Sequence, residues 1–263
     1  MIKQFLYLVA SMLFLFCNLI YAAHPLITDD TGTQGKNKFQ IEFNNEFSND
    51  KSTDGGVTAK ESISEQVIAI SYGLKDNLDI VIGLPYQFVN IKENGSKILN
   101  KGGLSDISIE SKWRFHNMDT LSFAIKPGLS LPTGDEEKGF GNGKISGYLA
   151  FIATKEMEQI QLHFNIYYMH NEFELKEDKD VNNKDLWHLS LASQVEIIKK
   201  LSGVMNVGIE KNSDKTKDTH PAFILGGVIY SISENLDIDF GYKSGLNKEE
   251  VDSSYLAGLA MRF

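Results

Sequence analysis

Cysteine is almost absent from this chain. One occurs in 263 residues, Cys17, inside an apolar run near the N-terminus. A lone cysteine offers no disulfide partner and no thiolate metal site, and its removal with that run leaves no cysteine nucleophile. Basic charge is also scarce: 26 Lys and Arg stand against 35 Asp and Glu, a formal net charge of −9. No basic stripe can offset phosphate repulsion, which excludes nucleic acid as a partner. Beyond residue 22 no apolar run reaches the ~18 residues of a membrane-spanning helix. No His-Glu-x-x-His, phosphate loop or EF-hand spacing occurs, and neither a cofactor nor a metal is expected. Gly139-Phe140-Gly141-Asn142-Gly143 is glycine-rich, but it follows Leu131-Pro132-Thr133-Gly134 as a surface loop and opens no helix.

What is present begins with an export signal. Lys3 gives a positive start, Phe5 to Ile20 is nearly unbroken apolar sequence, and Ile20-Tyr21-Ala22 ends on a small residue. This is the layout of a secretory signal peptide, residues 1–22, with cleavage expected after Ala22. The run is short for a ~20-residue span and no charged stop follows it. Leu15-Phe16 departs from the small residues that precede a lipidated cysteine, so Cys17 is not expected to carry lipid. Cleavage leaves a mature chain free of cysteine, suited to an oxidising compartment.

The remaining signal has a period of two. Leu78, Ile80, Ile82, Leu84, Tyr86 and Phe88 alternate with Asp79, Val81, Gly83, Pro85, Gln87 and Val89. Such spacing requires an extended strand with one oily face. The pattern recurs around Phe39–Phe43, Ile107–Phe115, Leu121–Ile125, Ile160–Tyr168, Trp187–Ile197 and Leu236–Tyr242, and less cleanly near 61–72, 144–155, 203–211 and 221–231. With the last strand, Ser253–Phe263, this predicts an all-β transmembrane antiparallel up-and-down barrel of about 12 strands. Short turns are expected at 73–77, 116–119, 156–159, 199–202 and 231–235. Longer polar loops are expected near 49–60, 91–102, 133–143, 171–185, 212–220 and 246–252. That asymmetry fits periplasmic turns and outer loops. The acidic loop runs Asp135-Glu136-Glu137 and Glu177-Asp178-Lys179-Asp180 read as solvated loop surface. Aromatics such as Tyr72, Tyr86, Trp113, Tyr168, Trp187 and Tyr255 sit near strand ends, where membrane interfaces lie.

Several segments carry a resemblance to a known family. They are Pro25-Leu26-Ile27-Thr28-Asp29-Asp30-Thr31-Gly32-Thr33-Gln34-Gly35, then Tyr72-Gly73-Leu74, Gly83-Leu84-Pro85-Tyr86 and Gly103-Leu104-Ser105-Asp106. Phe39-Gln40-Ile41-Glu42, Lys126-Pro127-Gly128-Leu129-Ser130-Leu131-Pro132-Thr133-Gly134 and the terminal Phe263 complete the set. Together they resemble the family called MetA-pathway of phenol degradation, over essentially the whole mature chain. The resemblance implies an outer-membrane barrel of a Gram-negative bacterium that takes up small hydrophobic or aromatic compounds. It carries no agreed set of functional residues.

By the alternation, Asp106, Glu110, Lys112, Arg114, Lys126, Asp237, Asp239, Lys243 and Arg262 should point into the lumen. They fill it as paired charges or form a selective constriction. Residues 23–36 are expected as a periplasmic tail or a plug, and 37–263 as the barrel. Tyr255, Leu259, Met261 and Phe263 look like the terminal signal read by barrel-insertion machinery. The partners expected are outer-membrane lipid, that machinery and a small-molecule solute, with the chain a monomer. The leading function is a channel or transporter. The alternative is a structural or surface-interaction barrel with a filled lumen. Enzyme activity is not expected: His188-Leu189-Ser190 has the His-x-Ser spacing of outer-membrane phospholipases, but the strand phase turns both polar residues inward and no Asn-Gly follows.

Overall fold

The computed structural model describes residues 24–263. The expected signal peptide, with Cys17, lies outside the described residues. Thirteen strands follow one another: β1 (Phe39–Asp54), β2 (Val57–Lys75), β3 (Leu78–Glu93), β4 (Ser96–Leu104), β5 (Ile107–Met118), β6 (Leu121–Leu131), β7 (Ser146–Met157), β8 (Ile160–His170), β9 (Asp185–Ile198), β10 (Leu201–Glu210), β11 (Ala222–Ser233), β12 (Leu236–Gly245) and β13 (Ser253–Arg262). The described helices are a short 3₁₀ turn at Glu136–Lys138 and α1 (Lys176–Val181), and neither is long enough to cross a membrane.

The sheet closes on itself. β13 pairs with β12 on one side and with β1 on the other, from Gln40 opposite Arg262 to Asn49 opposite Ser253. At the seam Phe263 and Phe39 exchange backbone bonds at 2.9 and 3.2 Å. The result is a closed antiparallel barrel of twelve strands with one extra strand. Closure pairs β1 with β13, the two edges that an open sheet would leave without hydrogen-bond partners in lipid.

The extra strand has a local cause. β3 is long: its first half pairs with β5 and its second half with β4. β4 and β5 thus act as one wall strand broken at Ser105–Asp106. The break lies opposite Pro85, which has no N–H to give the ladder, and its carbonyl is met by the Ser105 amide at 3.0 Å.

Two expected loops are corrected by the same hairpins. Residues 49–60 and 91–102 were expected as polar loops, yet β1 runs to Asp54, β2 starts at Val57, and β3 and β4 meet across Asn94-Gly95. Gly55, Gly56, Asn94 and Gly95 have φ of 54, 83, 46 and 85°, the left-handed geometry of two-residue hairpin turns. Polar sequence here marks strand projecting beyond any membrane. β2 has 19 residues where a span needs about 9–11. At the opposite end every strand-to-strand connection is a two-residue turn, for example at Asp76-Asn77 and Glu234-Asn235. The other four connections, near 132–145, 171–184, 211–221 and 246–252, are long and bonded to one another. Asn142 accepts from Glu174 N, Lys215 N donates to Val181 O, and Asn247 Nδ2 donates to His220 O.

Alternation decides what each face holds. Phe43, Phe47, Trp113, Phe164, Ile166, Leu191, Phe240 and Tyr255 all point outward and are exposed. Inward lie Glu110, Lys112, Lys126, His163, Asn165, Asn206 and Lys243, all buried. The interior therefore has a polar filling, with small apolar clusters such as Ala124, Tyr148, Ala150, Ile152 and Tyr167.

Candidate functional site

The segment before β1 lies inside the barrel. Leu26, Ile27, Thr28, Asp29 and Thr31 are buried, and no residue from 24 to 36 joins the sheet. Its backbone is held by side chains of the wall. Asn206 Oδ1 accepts from Ile27 N at 2.8 Å and Thr28 N at 3.0 Å. Asn165 accepts from Asp29 N at 2.7 Å and donates to Asp29 O at 2.8 Å. Thr154 accepts from Thr31 N at 3.1 Å, and Asp79 from Gln34 N at 2.9 Å. At the far end His24 meets Asp239 at 2.5 Å. Pro25 rests on Gly227 and Gly241, register neighbours of β11 and β12; a Cβ on Gly241 would come within 2.8 Å of it. The segment thus arcs across the lumen from β3 to β12.

Its charge is met by the wall. Asp29 places one carboxylate oxygen 2.8 Å from Lys112 Nζ and the other 2.8 Å from Lys126 Nζ. Lys126 also lies 3.1 Å from Glu110, whose other oxygen accepts from the Tyr148 hydroxyl at 2.7 Å. All three carboxylate and ammonium side chains of the Lys126 cluster are about 1% exposed or less. Buried ions are tolerated when each is paired this closely; removal of one partner is what costs.

The other expected lumen residues take separate places. Lys243 bridges Glu46 at 2.8 Å and Glu250 at 3.4 Å in the loop-end half. Arg262 binds Asp237 at 2.7 Å and Gln40 at 3.0 Å near the turn end. Arg114 is half-exposed at the same rim and donates to Asp76 O. Asp106 is a loop anchor: its carboxylate accepts from Thr133 N, Gly134 N and Asn142 N at 2.9–3.1 Å. A cavity of about 620 Å³ joins several of these groups. Lys112, Lys126, Asp29, Asp79, Asp237, Asp239 and Arg262 all line it, and it reaches the turn-end rim at Asn235 and Phe263.

This arrangement of barrel and inward segment covers the matched part of the sequence. Residues 28–263 match the family described as MetA-pathway of phenol degradation. The chain belongs to that family. No curated protein matches its sequence. Solved structures share the fold at low identity. An outer membrane channel from Pseudomonas putida F1 superposes with TM-score 0.67 at 12% identity, over 89% of this chain and 98% of that one. The KdgM porin gives 0.55 at 11%, over 85% and 99%. The CymD monoaromatic hydrocarbon channel gives 0.50 at 10%, over 88% and 89%.

In this MetA-pathway chain the loop end carries a second set of contacts. Phe140 folds inward over Gly103, with Lys101 Nζ 5.6 Å from its ring centre. Lys184 donates twice at 2.8 Å to exposed Glu172 and holds its carboxyl below the usual carboxylate range. Lys138 does the same for Asp135, which is exposed. Among the described residues no group of acidic or histidine side chains is placed to hold a metal ion. His188 faces inward beside Glu210 at 3.1 Å and stacks on Phe223.

Sequence reading missed Asn206 and Asn165 as the residues that hold the segment. Their signal was an amide on the inward phase of a strand, shared in β8 with Gln161 and His163. It also missed the partner of Lys112 and Lys126, because Asp29 lies outside every strand.

Proposed function

We propose that this chain is an outer-membrane channel of a Gram-negative bacterium that passes small hydrophobic or aromatic molecules. The observation that carries this reading is the interior. A 620 Å³ cavity reaches the turn-end rim, and a segment held by hydrogen bonds and ion pairs lies across the lumen. A fully packed core would leave no route. Support comes from family membership and from the shared fold with proteins described as an outer membrane channel and a monoaromatic hydrocarbon channel. The apolar outward face supports residence in lipid. In this reading residues 1–22 direct export, residues 23–36 act as a plug, and a single chain forms the pore. The inward charges at Glu110, Lys112, Lys126, Asp237, Asp239, Lys243 and Arg262 line or narrow the route. Tyr255, Leu259 and Met261 on the outward face of β13, with Phe263 just after it, serve recognition by the insertion machinery.

Flux in liposomes tests the proposal. Purified folded protein should admit a neutral aromatic such as benzamide, and more of it once residues 24–36 are deleted. Absence of flux in both forms favours the second reading, a barrel with a filled lumen. That reading has its own support in the buried Lys126, Glu110 and Asp29 cluster.

A further inference from the structure

Asp29 is held as a bound ligand would be held. Each oxygen faces a different lysine at 2.8 Å, and the two lysines come from neighbouring strands, β5 and β6. Asp29 itself is not part of the wall. It reaches the lysines on a segment whose backbone is fixed by side chains of β7, β8 and β10 and by no strand pairing. Such contacts exchange more readily than a ladder of backbone bonds.

Among the described residues, the wall places a carboxylate within ion-pair distance of Lys126 but none within that distance of Lys112. Glu110 is the wall carboxylate within ion-pair distance of Lys126, and Asp29 is the described carboxylate within that distance of Lys112. Asp79 stands opposite Lys112 in the register, but its carboxylate accepts the Gln34 amide, again from the segment. Desolvated lysines need an anion, and a carboxylate shared between two ammonium groups is a strong form of charge-assisted pairing. Space and an apolar surface lie close by. Both lysines line the 620 Å³ cavity. Through Glu110 the cluster continues to Tyr148, whose ring stacks on Tyr167 at 5.4 Å between centres.

We propose that Lys112 and Lys126 form a carboxylate-binding subsite, occupied by Asp29 at rest, which a solute bearing one carboxylate and an aromatic ring takes over as it passes. The inference rests on the channel reading and names a substrate class for it. Exchange of one carboxylate for another leaves the local charge unchanged. A neutral solute that displaced Asp29 would leave Lys112 without its contact carboxylate and with only Asp79 facing it across the register, so the subsite favours the carboxylate.

The test uses the mature chain, folded in detergent and in liposomes, with benzoate and its neutral counterpart benzamide as probes. Calorimetry should show that Asp29→Ala tightens the benzoate Kd about tenfold, because the competing carboxylate is gone, and leaves benzamide unaffected. Lys112→Gln with Lys126→Gln should abolish the benzoate response while benzamide flux persists. Lys112→Gln alone serves if the double variant fails the heat-dependent gel shift of a folded barrel; it should weaken benzoate about tenfold in the Asp29→Ala background. Gly241→Val, which crowds Pro25 without touching a charge, should also tighten benzoate binding. Equal responses to benzoate and benzamide, or benzoate binding that survives loss of the lysines, would overturn the subsite. Loss of all flux with benzoate still bound at the lysines would sink the channel reading and keep the subsite.

Discussion

The two faces of a single strand differ more here than any two strands do. On β1, Phe43 and Phe47 leave the barrel while Glu42 and Glu46 enter it. The outward residues need only be apolar, and each acts largely alone. The inward residues depend on one another: Glu46 on Lys243, Lys126 on Glu110 and Asp29, Asn206 on the backbone of Ile27 and Thr28. The difference is in what each face is solvated by. Lipid solvates any apolar side chain, whereas a polar group in a closed lumen must find a named partner.

That contrast can be broken from either side. The largest effect should come from inside. Lys126→Met leaves Asp29 and Glu110 buried beside each other with half their counter-charge, and should cost about 3–5 kcal/mol in a urea titration of the vesicle-inserted protein. On the outside, Ile166→Lys puts an ammonium group into the apolar face of β8, for a loss of about 2–4 kcal/mol in the same assay. The two losses should add, since the side chains share no partner.

Smaller changes sharpen the comparison. Asn206→Ala removes the acceptor of two segment amides, for about 1–3 kcal/mol, and should speed proteolysis of the segment before it affects the barrel's gel shift. Asp135→Asn on the loop surface should leave the unfolding midpoint unchanged, because an exposed pair is screened by water. Should that variant shift the midpoint, the loop end would prove as relational as the lumen.

Much of this was legible beforehand. Period two in Leu78–Phe88 gave strand, phase and outward face together, because alternation is the geometry of a pleat. The same phase sent Glu110, Lys112 and Lys126 inward. Other features were illegible for definite reasons. The polar stretches 49–60 and 91–102 read as loops because most of their residues meet solvent, leaving only isolated buried positions such as Ala59 and Ile91 and no alternation of oil and water. The break at Ser105–Asp106 depends on Pro85, a residue of the opposing strand, so no window of local sequence contains it. Asp106 carried an inward phase but no sign that three loop amides would take its carboxylate.

The sequence by itself determined that the chain is a barrel with an oily outside and a charged inside, since both follow from the spacing of residue types along single strands. Only the tertiary structure decided what the inside charges are for. Asp29 meets its lysines across 83 residues in one case and 97 in the other. Closing the barrel is what brings them together, and a pairing set by closure has no period for a sequence to display.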